Sequence, residues 1–308
     1  MPKDTYFQPN APDPVLSEDL VLALVRRHVP KAQAVIGIDE SGGEARTYAI
    51  DADLVLKVQR PQQLRPRTSL AKEVFFLQQL EPWPDISVPR ALGYGRDSAL
   101  LEYIVLTRMP GIAIRHAVLS EQERAAVLFQ LGRTLRRIHS LPQETFTENA
   151  LFPGDRSFAA VQQRFHEYFD ELAEAFRTQG LSWPLRVSLE EVGERVLASL
   201  PENDERVALH SNPYAEHTFV DPVAHTYLGL IDFGDAYISH PAFDLRRWNR
   251  PAEREALLRG YTADAPVSAA FMATRKAVMV LTDVILMARS PDRAAQAADD
   301  AQHLLATL

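Results

Sequence analysis

Tyr227-Leu228-Gly229-Leu230-Ile231-Asp232-Phe233-Gly234-Asp235 is an apolar run that breaks into an acidic turn. Apolar runs of this length bounded by turn residues read as short buried strands. The strand delivers Asp232 to the mouth of a sheet, where a carboxylate supplies the hard oxygen ligand that Mg²⁺ takes. About 20 residues upstream lies a polar segment, His210-Ser211-Asn212-Pro213-Tyr214-Ala215-Glu216-His217. It falls between strand-like stretches at 206–209 and 218–220, with a third at 226–231. Chemistry is expected where these two segments meet.

The chain has 308 residues, 46% of them apolar, enough to bury cores in two domains. Its net charge of -8 leaves no basic field for a phosphate backbone or an anionic membrane, so neither is an expected partner. Without cysteine there are no disulfides, thiolate metal sites or cysteine nucleophile. The amino terminus lacks the apolar core of a signal peptide, and a cytoplasmic protein is expected. The greasiest stretch, 269–287, is interrupted by Arg275, Lys276 and Asp283 and reads as a buried helix.

Met109-Pro110-Gly111 divides the chain into residues 1–109 and 110–308. In the first part Ser17, followed by Glu18 and Asp19, starts a helix. Strands are expected at 34–38, 44–50 and 54–58, with Ser41-Gly42-Gly43 as a turn. A helix over 69–80 has Leu70, Val74, Leu77 and Leu80 on one face, and two more strands are expected around 88–92 and 103–107. Gly93-Tyr94-Gly95 reads as a strand-end turn. The second part is mainly helical. Ser120 and Glu123 form a capping box ahead of a stripe of Leu128, Leu131, Leu135 and Ile138, ending near His139. Phe158, Val161, Phe165, Phe169, Leu172 and Phe176 recur at three and four residues, a pattern better suited to core than to a substrate wall. Glu167, Asp170, Glu171 and Glu174 on that helix read as a solvated face. Ser188 and Glu191 cap another helix, and three more follow from 251 to 308. The fold class is α+β: a small antiparallel sheet with one long helix, then a larger helical part.

Taken in order, Ser41-Gly42-Gly43, Lys57, Glu73, Leu106-Thr107-Arg108-Met109-Pro110-Gly111, the helix through Leu131 to His139, the segment from His210 to Asp221, and Ile231 to Asp235 followed by His240-Pro241-Ala242-Phe243-Asp244-Leu245 form a pattern. It resembles the aminoglycoside phosphotransferase family, small-molecule kinases whose fold is similar to that of protein kinases. The resemblance implies a protein-kinase-like two-lobe fold, with ATP and Mg²⁺ as cofactors. It places Lys57, braced by Glu73, on the phosphates, with Gly42 and Gly43 over them. Thr107 and Met109 read the base through the backbone, Asp232 holds the metal, and Asp244 accepts amides of the catalytic loop.

Against the family pattern H-G-D-L-H-P-G-N, Ser211 stands for glycine, Asn212 for the catalytic aspartate and His217 for the metal-binding asparagine. His210, Asn212 and Asp232 are the expected catalytic set, and Asp232 with His217 the metal set. A carboxamide cannot accept a proton at neutral pH. An imidazole nitrogen suits Mn²⁺ better than Mg²⁺, which makes Mn²⁺ an alternative metal. The resemblance implies an ATP-dependent phosphotransferase acting on a hydroxyl of a small molecule, an antibiotic or a metabolite. The alternative is a nucleotide-binding pseudokinase with a regulatory or binding role. The acceptor and the oligomeric state are left open by the sequence.

Overall fold

Ser17 caps α1 (Glu18–Arg26) by accepting from the Leu20 amide, and Val21, Leu24 and Val25 on its inner face are buried. Behind it, β1 (Val35–Asp39), β2 (Ala45–Ile50) and β3 (Leu54–Gln59) form an antiparallel meander. The computed structural model describes residues 8, 10–40, 42–63, 69–98, 101–203, 205–248 and 250–308, so Ser41 lies outside the described residues. After Ser69, whose hydroxyl accepts from Lys72 N, α2 (Leu70–Leu80) leads to β4 (Ala91–Ser98) and β5 (Leu101–Thr107). The five strands lie in the order β1-β2-β3-β5-β4.

Strand alternation decides what this sheet does with its two faces. Leu54, Leu56 and Val58 of β3 join Tyr48, Ile50, Tyr103 and Val105 in a core beneath α1. Val55 and Lys57 project from the opposite face, which packs in part against α2 and otherwise borders a cleft. On that face Ile104 and Leu106 meet Leu70, Val74, Phe76 and Leu77.

The structure corrects the sequence reading at β4. The strand starts at Ala91 rather than at 88 and runs straight through Gly93-Tyr94-Gly95. A Cβ on Gly93 would lie 2.0 Å from the His28 ring, and one on Gly95 would lie 2.4 Å from Tyr103. These glycines make room for two rings inside a strand rather than turning the chain.

From Gly111 onward the chain builds the larger lobe. Short strand β6 (Ile112–Ala113) precedes α3 (Glu121–His139), capped by the expected Ser120–Glu123 box. Next come α4 (Glu144–Thr147), α5 (Phe158–Gln179) and α6 (Leu189–Ser199). Phe165, Phe169 and Phe176 of α5 are buried, whereas Glu167, Asp170 and Glu174 are exposed, so the phenylalanine stripe is core and most of the acidic cluster is solvated. Strands β7 (Val207–Leu209), β8 (Thr218–Val220), β9 (Tyr227–Leu230) and β10 (Tyr237–Ser239) frame the two motif segments. One sheet has the order β6-β8-β9, and β7 pairs with β10. A 3₁₀ turn over Pro241–Arg246 leads to α7 (Pro251–Tyr261), α8 (Ala269–Arg289) and α9 (Ala294–Leu305). Among the described residues no helix is long and apolar enough to cross a membrane.

Main-chain pairing joins the lobes beside the cleft. Ser87, between α2 and β4, accepts from Leu230 N at 3.1 Å, and its hydroxyl donates to the Leu228 carbonyl.

Helices α3 and α7 cross at two glycines. A Cβ on Gly132 would fall 2.1 Å from the Leu257 carbonyl oxygen, and one on Gly260 would fall 1.9 Å from that of Phe129. Backbone cannot yield as a flexible side chain does, so Gly260→Ala should destabilise the protein by ~1–3 kcal/mol despite alanine's better helix propensity. Thermal unfolding checks this as a drop of several degrees; an unchanged or raised midpoint contradicts the close crossing.

Candidate active site

The cleft between the lobes has a volume of about 400 Å³. Its roof is the free face of the small sheet, including Val55 and Lys57, and its floor is Phe219, Ile231 and Asp232. Lys57 Nζ donates to Glu73 Oε2 at 2.7 Å and to Asp232 Oδ1, joining β3, α2 and the end of β9 in one charge cluster. Burial works against the ammonium, but Asp232 and Glu73 outweigh it and raise the Lys57 pKa. Burial likewise opposes ionisation of Asp232; the Lys57 ammonium and His217 outweigh it and hold the carboxyl well below the usual range. For Glu73 burial dominates over Lys57 and pushes the carboxyl up. About a third of the Asp232 side chain, 36%, remains open to the cleft, so a ligand can reach it.

At the back of the cleft, Thr107 and Met109 line the connection between the lobes. The Thr107 and Arg108 amides are spent on the carbonyls of Arg90 and Asp53, at 3.0 and 2.7 Å. Proline at 110 has no amide, and the Met109 N–H has no hydrogen-bond partner among the described residues. Gly111 follows with φ of +82°, and a Cβ there would lie 2.3 Å from the Val220 carbonyl oxygen. Gly42 and Gly43 sit at the tip of the β1–β2 hairpin and are not part of the cleft lining, to which β1 contributes Gly37 and Asp39. Arg60 is engaged by Asp13, at 2.8 Å from Nε, and by the Gly42 carbonyl.

The loop between β7 and β8 is organised from beneath. Asp244, fully buried, accepts from the amides of His210 (2.8 Å) and Ser211 (2.7 Å) and lies 3.1 Å from His139 Nε2. His139 in turn reaches the Tyr261 hydroxyl at 2.9 Å. His210 is buried too. Its Nε2 donates to the Ile231 carbonyl at 2.8 Å, while Nδ1 accepts from the Asn212 amide at 3.2 Å. The ring therefore bridges the loop to the strand that carries Asp232. Burial pushes its pKa down to about 4, keeping it neutral.

Ser211 has φ of +80°, a left-handed conformation that glycine adopts without cost, which accounts for the glycine of the family pattern. The Asn212 carboxamide is half-buried and makes no hydrogen bond among the described residues. His217 Nδ1 lies 2.9 Å from the Asn212 carbonyl oxygen, and its Nε2 lies 3.1 Å from Asp232 Oδ2. With Nδ1 directed at that carbonyl, the ring turns Nε2 toward the Asp232 carboxylate. Asp232 itself sits at φ of +72°, a strained position for a residue with a side chain. Among the described residues no three His, Asp or Glu side chains converge as a metal cluster, which leaves Asp232 and His217 as a pair.

Phe233 is fully buried, 4.8 Å from the Phe76 ring of α2 and 4.6 Å from the His210 ring. Phe76 continues into Phe146 and Phe152. This aromatic chain fixes α2, and with it Glu73, against the larger lobe. The sequence reading missed it because the four phenylalanines come from segments far apart in the chain.

A sheet-borne lysine, braced by a helical glutamate and facing a carboxylate across an interlobe cleft, defines the molecule as protein-kinase-like in fold. The chain belongs to the phosphotransferase enzyme family, whose model matches residues 36–271. A comparison with curated proteins finds no match. Among solved structures, the chain is similar to the GDP and kanamycin complex of APH(2")-IIIa at 15% identity, covering 94% of this chain and 97% of that one with a TM-score of 0.60. It is also similar to macrolide 2'-phosphotransferase MphH from Brachybacterium faecium at 19% identity, with 94% and 97% covered and a TM-score of 0.60. The streptomycin–ATP ternary complex of APH(2")-IIa matches at 17% identity, 95% and 97% coverage and a TM-score of 0.58. At these identities the likeness is one of fold.

Two predictions follow from the loop. Ser211→Gly should stabilise the protein by about 1 kcal/mol by relieving the left-handed serine, read as a raised denaturant midpoint; a lowered midpoint would show that the hydroxyl matters more than the backbone. For pH, His210 and His240, the latter pushed down to about 3 by burial, resist in the native state a proton that the unfolded chain accepts near 6.5. Stability is therefore whole above pH 6.5 and falls as pH drops through the window toward 4. At pH 5 His210 alone should remove ~2 kcal/mol. Chemical denaturation at pH 7.5 and 5.0 measures it, and identical midpoints would refute the neutral, buried rings.

Proposed function

We propose that this protein binds ATP with a divalent cation in the interlobe cleft and transfers the terminal phosphoryl group to a hydroxyl of a small molecule. The observation that carries the proposal is the convergence of Lys57, Glu73 and Asp232 across the lobes. Family membership supports it, as do structural neighbours solved with GDP, ADP and ATP.

The residues present fit both groups. Lys57 is a permanent cation for phosphate oxygens, and Met109, which lines the cleft, would offer its amide to a base. Asp232 and His217 offer one hard oxygen and one nitrogen on neighbouring positions, a donor pair that suits Mn²⁺ as well as Mg²⁺. A cation held there would neutralise charge on the phosphates. With only two protein ligands, phosphate oxygens and water complete its coordination.

Asn212 occupies the place where a hydroxyl would be oriented. Its carboxamide oxygen accepts a hydrogen bond from the acceptor's hydroxyl but cannot remove the proton. The new O–P bond forms as the bond to the leaving diphosphate breaks, and the hydroxyl proton departs to water or to a phosphoryl oxygen. In a loose transition state that departure is late, so absence of a base costs roughly 10²- to 10⁴-fold and leaves slow transfer. The pseudokinase alternative is favoured by one observation: both Asp232 oxygens are already engaged, one by Lys57 and the other by His217.

Mg-ADP at 100 times its Kd should stabilise the fold by about 2.7 kcal/mol, and Lys57→Met should abolish most of that response. Differential scanning fluorimetry tests it; no shift with Mg²⁺ or Mn²⁺ nucleotide would exclude both readings. Asn212→Asp should raise ATP turnover by at least ~10-fold by restoring a base. Nucleotide binding with unchanged, negligible turnover in that variant would favour the pseudokinase.

A further inference from the structure

A second pocket, of about 170 Å³, adjoins the Asn212 loop through Tyr214. Tyr214 of the loop, Tyr168 of α5, Arg246 and Arg247 after the 3₁₀ turn, and Thr282 and Arg289 of α8 line it. We propose that this pocket binds the anionic group, carboxylate or phosphate monoester, of a small hydroxylated acceptor. The proposal rests on the phosphotransferase reading above and supplies its substrate class.

The first argument is uncompensated charge. Among the described residues, three guanidiniums line the pocket and no carboxylate does. Arg246 is only 6% exposed, yet among the described residues it has no acidic partner. Its Nη2 donates to the Tyr168 hydroxyl at 3.3 Å, and its guanidinium lies over the Tyr168 and Phe243 rings at 5.5 and 5.6 Å. Arg247 and Arg289 likewise form no ion pair among the described residues. Burial, and then the neighbouring Arg246 charge, lower the Arg247 pKa against an opposing pull from Asp244, whereas at Arg246 burial is outweighed by Tyr168 and Tyr237 and the pKa is raised. Buried charges are normally paired, because desolvation without a counter-charge is costly. In a chain of net charge -8 with acidic side chains in excess, a cationic pocket with no carboxylate among its described lining residues is suited to an external anion.

The second argument is position. Arg247 Nε donates to the Ser211 carbonyl at 3.3 Å, the Tyr214 amide donates to that of Asn212 at 2.8 Å, and Trp248 Nε1 donates to that of Pro213 at 3.0 Å. The pocket wall and the Asn212 loop are thus one hydrogen-bonded unit, so a molecule anchored by the arginines would lie against that loop. The third is size. Sites for drug-sized ligands span roughly 300–1,000 Å³, so this pocket suits a few heavy atoms with one charged group. Arginine forks match carboxylate and phosphate in two-pronged geometry, and they would repel a polycationic antibiotic.

Binding of sodium glycerol 3-phosphate and of sodium glycerate to the full-length protein tests the proposal by calorimetry and thermal shift, each with and without Mg-ADP. Glycerol, choline and potassium chloride at matched ionic strength serve as neutral, cationic and salt controls. One or both anions should bind and the controls should not; which anion binds more tightly identifies phosphate or carboxylate as the group recognised. Arg289→Gln, at an exposed position that should not disturb folding, should weaken anion binding by ~10-fold or more and leave the Mg-ADP response intact. Equal response to glycerol or choline, or anion affinity unchanged in both Arg289→Gln and Arg247→Gln, overturns the proposal. A Mg-ADP shift with no anion response overturns the pocket alone and leaves the nucleotide reading standing. Anion binding without any nucleotide response overturns the acceptor role together with the phosphotransferase reading.

Discussion

The ammonium of Lys57, held between a buried glutamate and the aspartate of the opposite lobe, is the constraint on which this molecule turns. Neither carboxylate is stable alone at its depth: burial raises Glu73, and it would raise Asp232 were the cation and His217 not beside it. Breaking one partner out of such a cluster leaves an uncompensated charge, which is far costlier than the net worth of the intact arrangement. The lobes are therefore coupled electrostatically within the cleft between them.

Around that cluster the packing is layered by chemistry. Phe233 and Phe76 place an apolar joint directly behind the charges, so the low dielectric that strengthens the ion pairs is supplied by the same segment that carries Asp232. Beneath it, Asp244, itself bonded to His139, holds the loop amides. Asn212, by contrast, keeps its carboxamide unengaged among the described residues. Its backbone is held on both sides, by His210 at the amide and by Tyr214 and His217 at the carbonyl, so rigid support reaches the residue and stops at its side chain.

Much of this was legible in the sequence, for identifiable reasons. The helix caps at Ser17, Ser120 and Ser188 and the three-four spacing in α5 are local signals, and local signals survive folding. Lys57, Glu73 and Asp232 were legible because their order along the chain matched a family pattern. The strand through Gly93 and Gly95 was not, because the sequence shows two glycines and conceals the rings of His28 and Tyr103 packed over them. For the same reason His210 reads as a motif residue in sequence and as an internal brace in structure. The arginine pocket was equally hidden, since Arg246 and Arg247 look like ordinary surface charge until Tyr168 and Arg289 close over them.

The junction at Ser87 carries a further consequence. It is made chiefly of peptide groups, Leu230 N to the Ser87 carbonyl and a serine hydroxyl to the Leu228 carbonyl. Most amino acids can be exchanged around such a junction without deleting it, since the peptide groups persist through almost every replacement. Lineages can then diverge until fewer than one position in five agrees while the two halves keep their mutual orientation. Selection is left free to rework the acceptor side of the molecule without putting its architecture at risk.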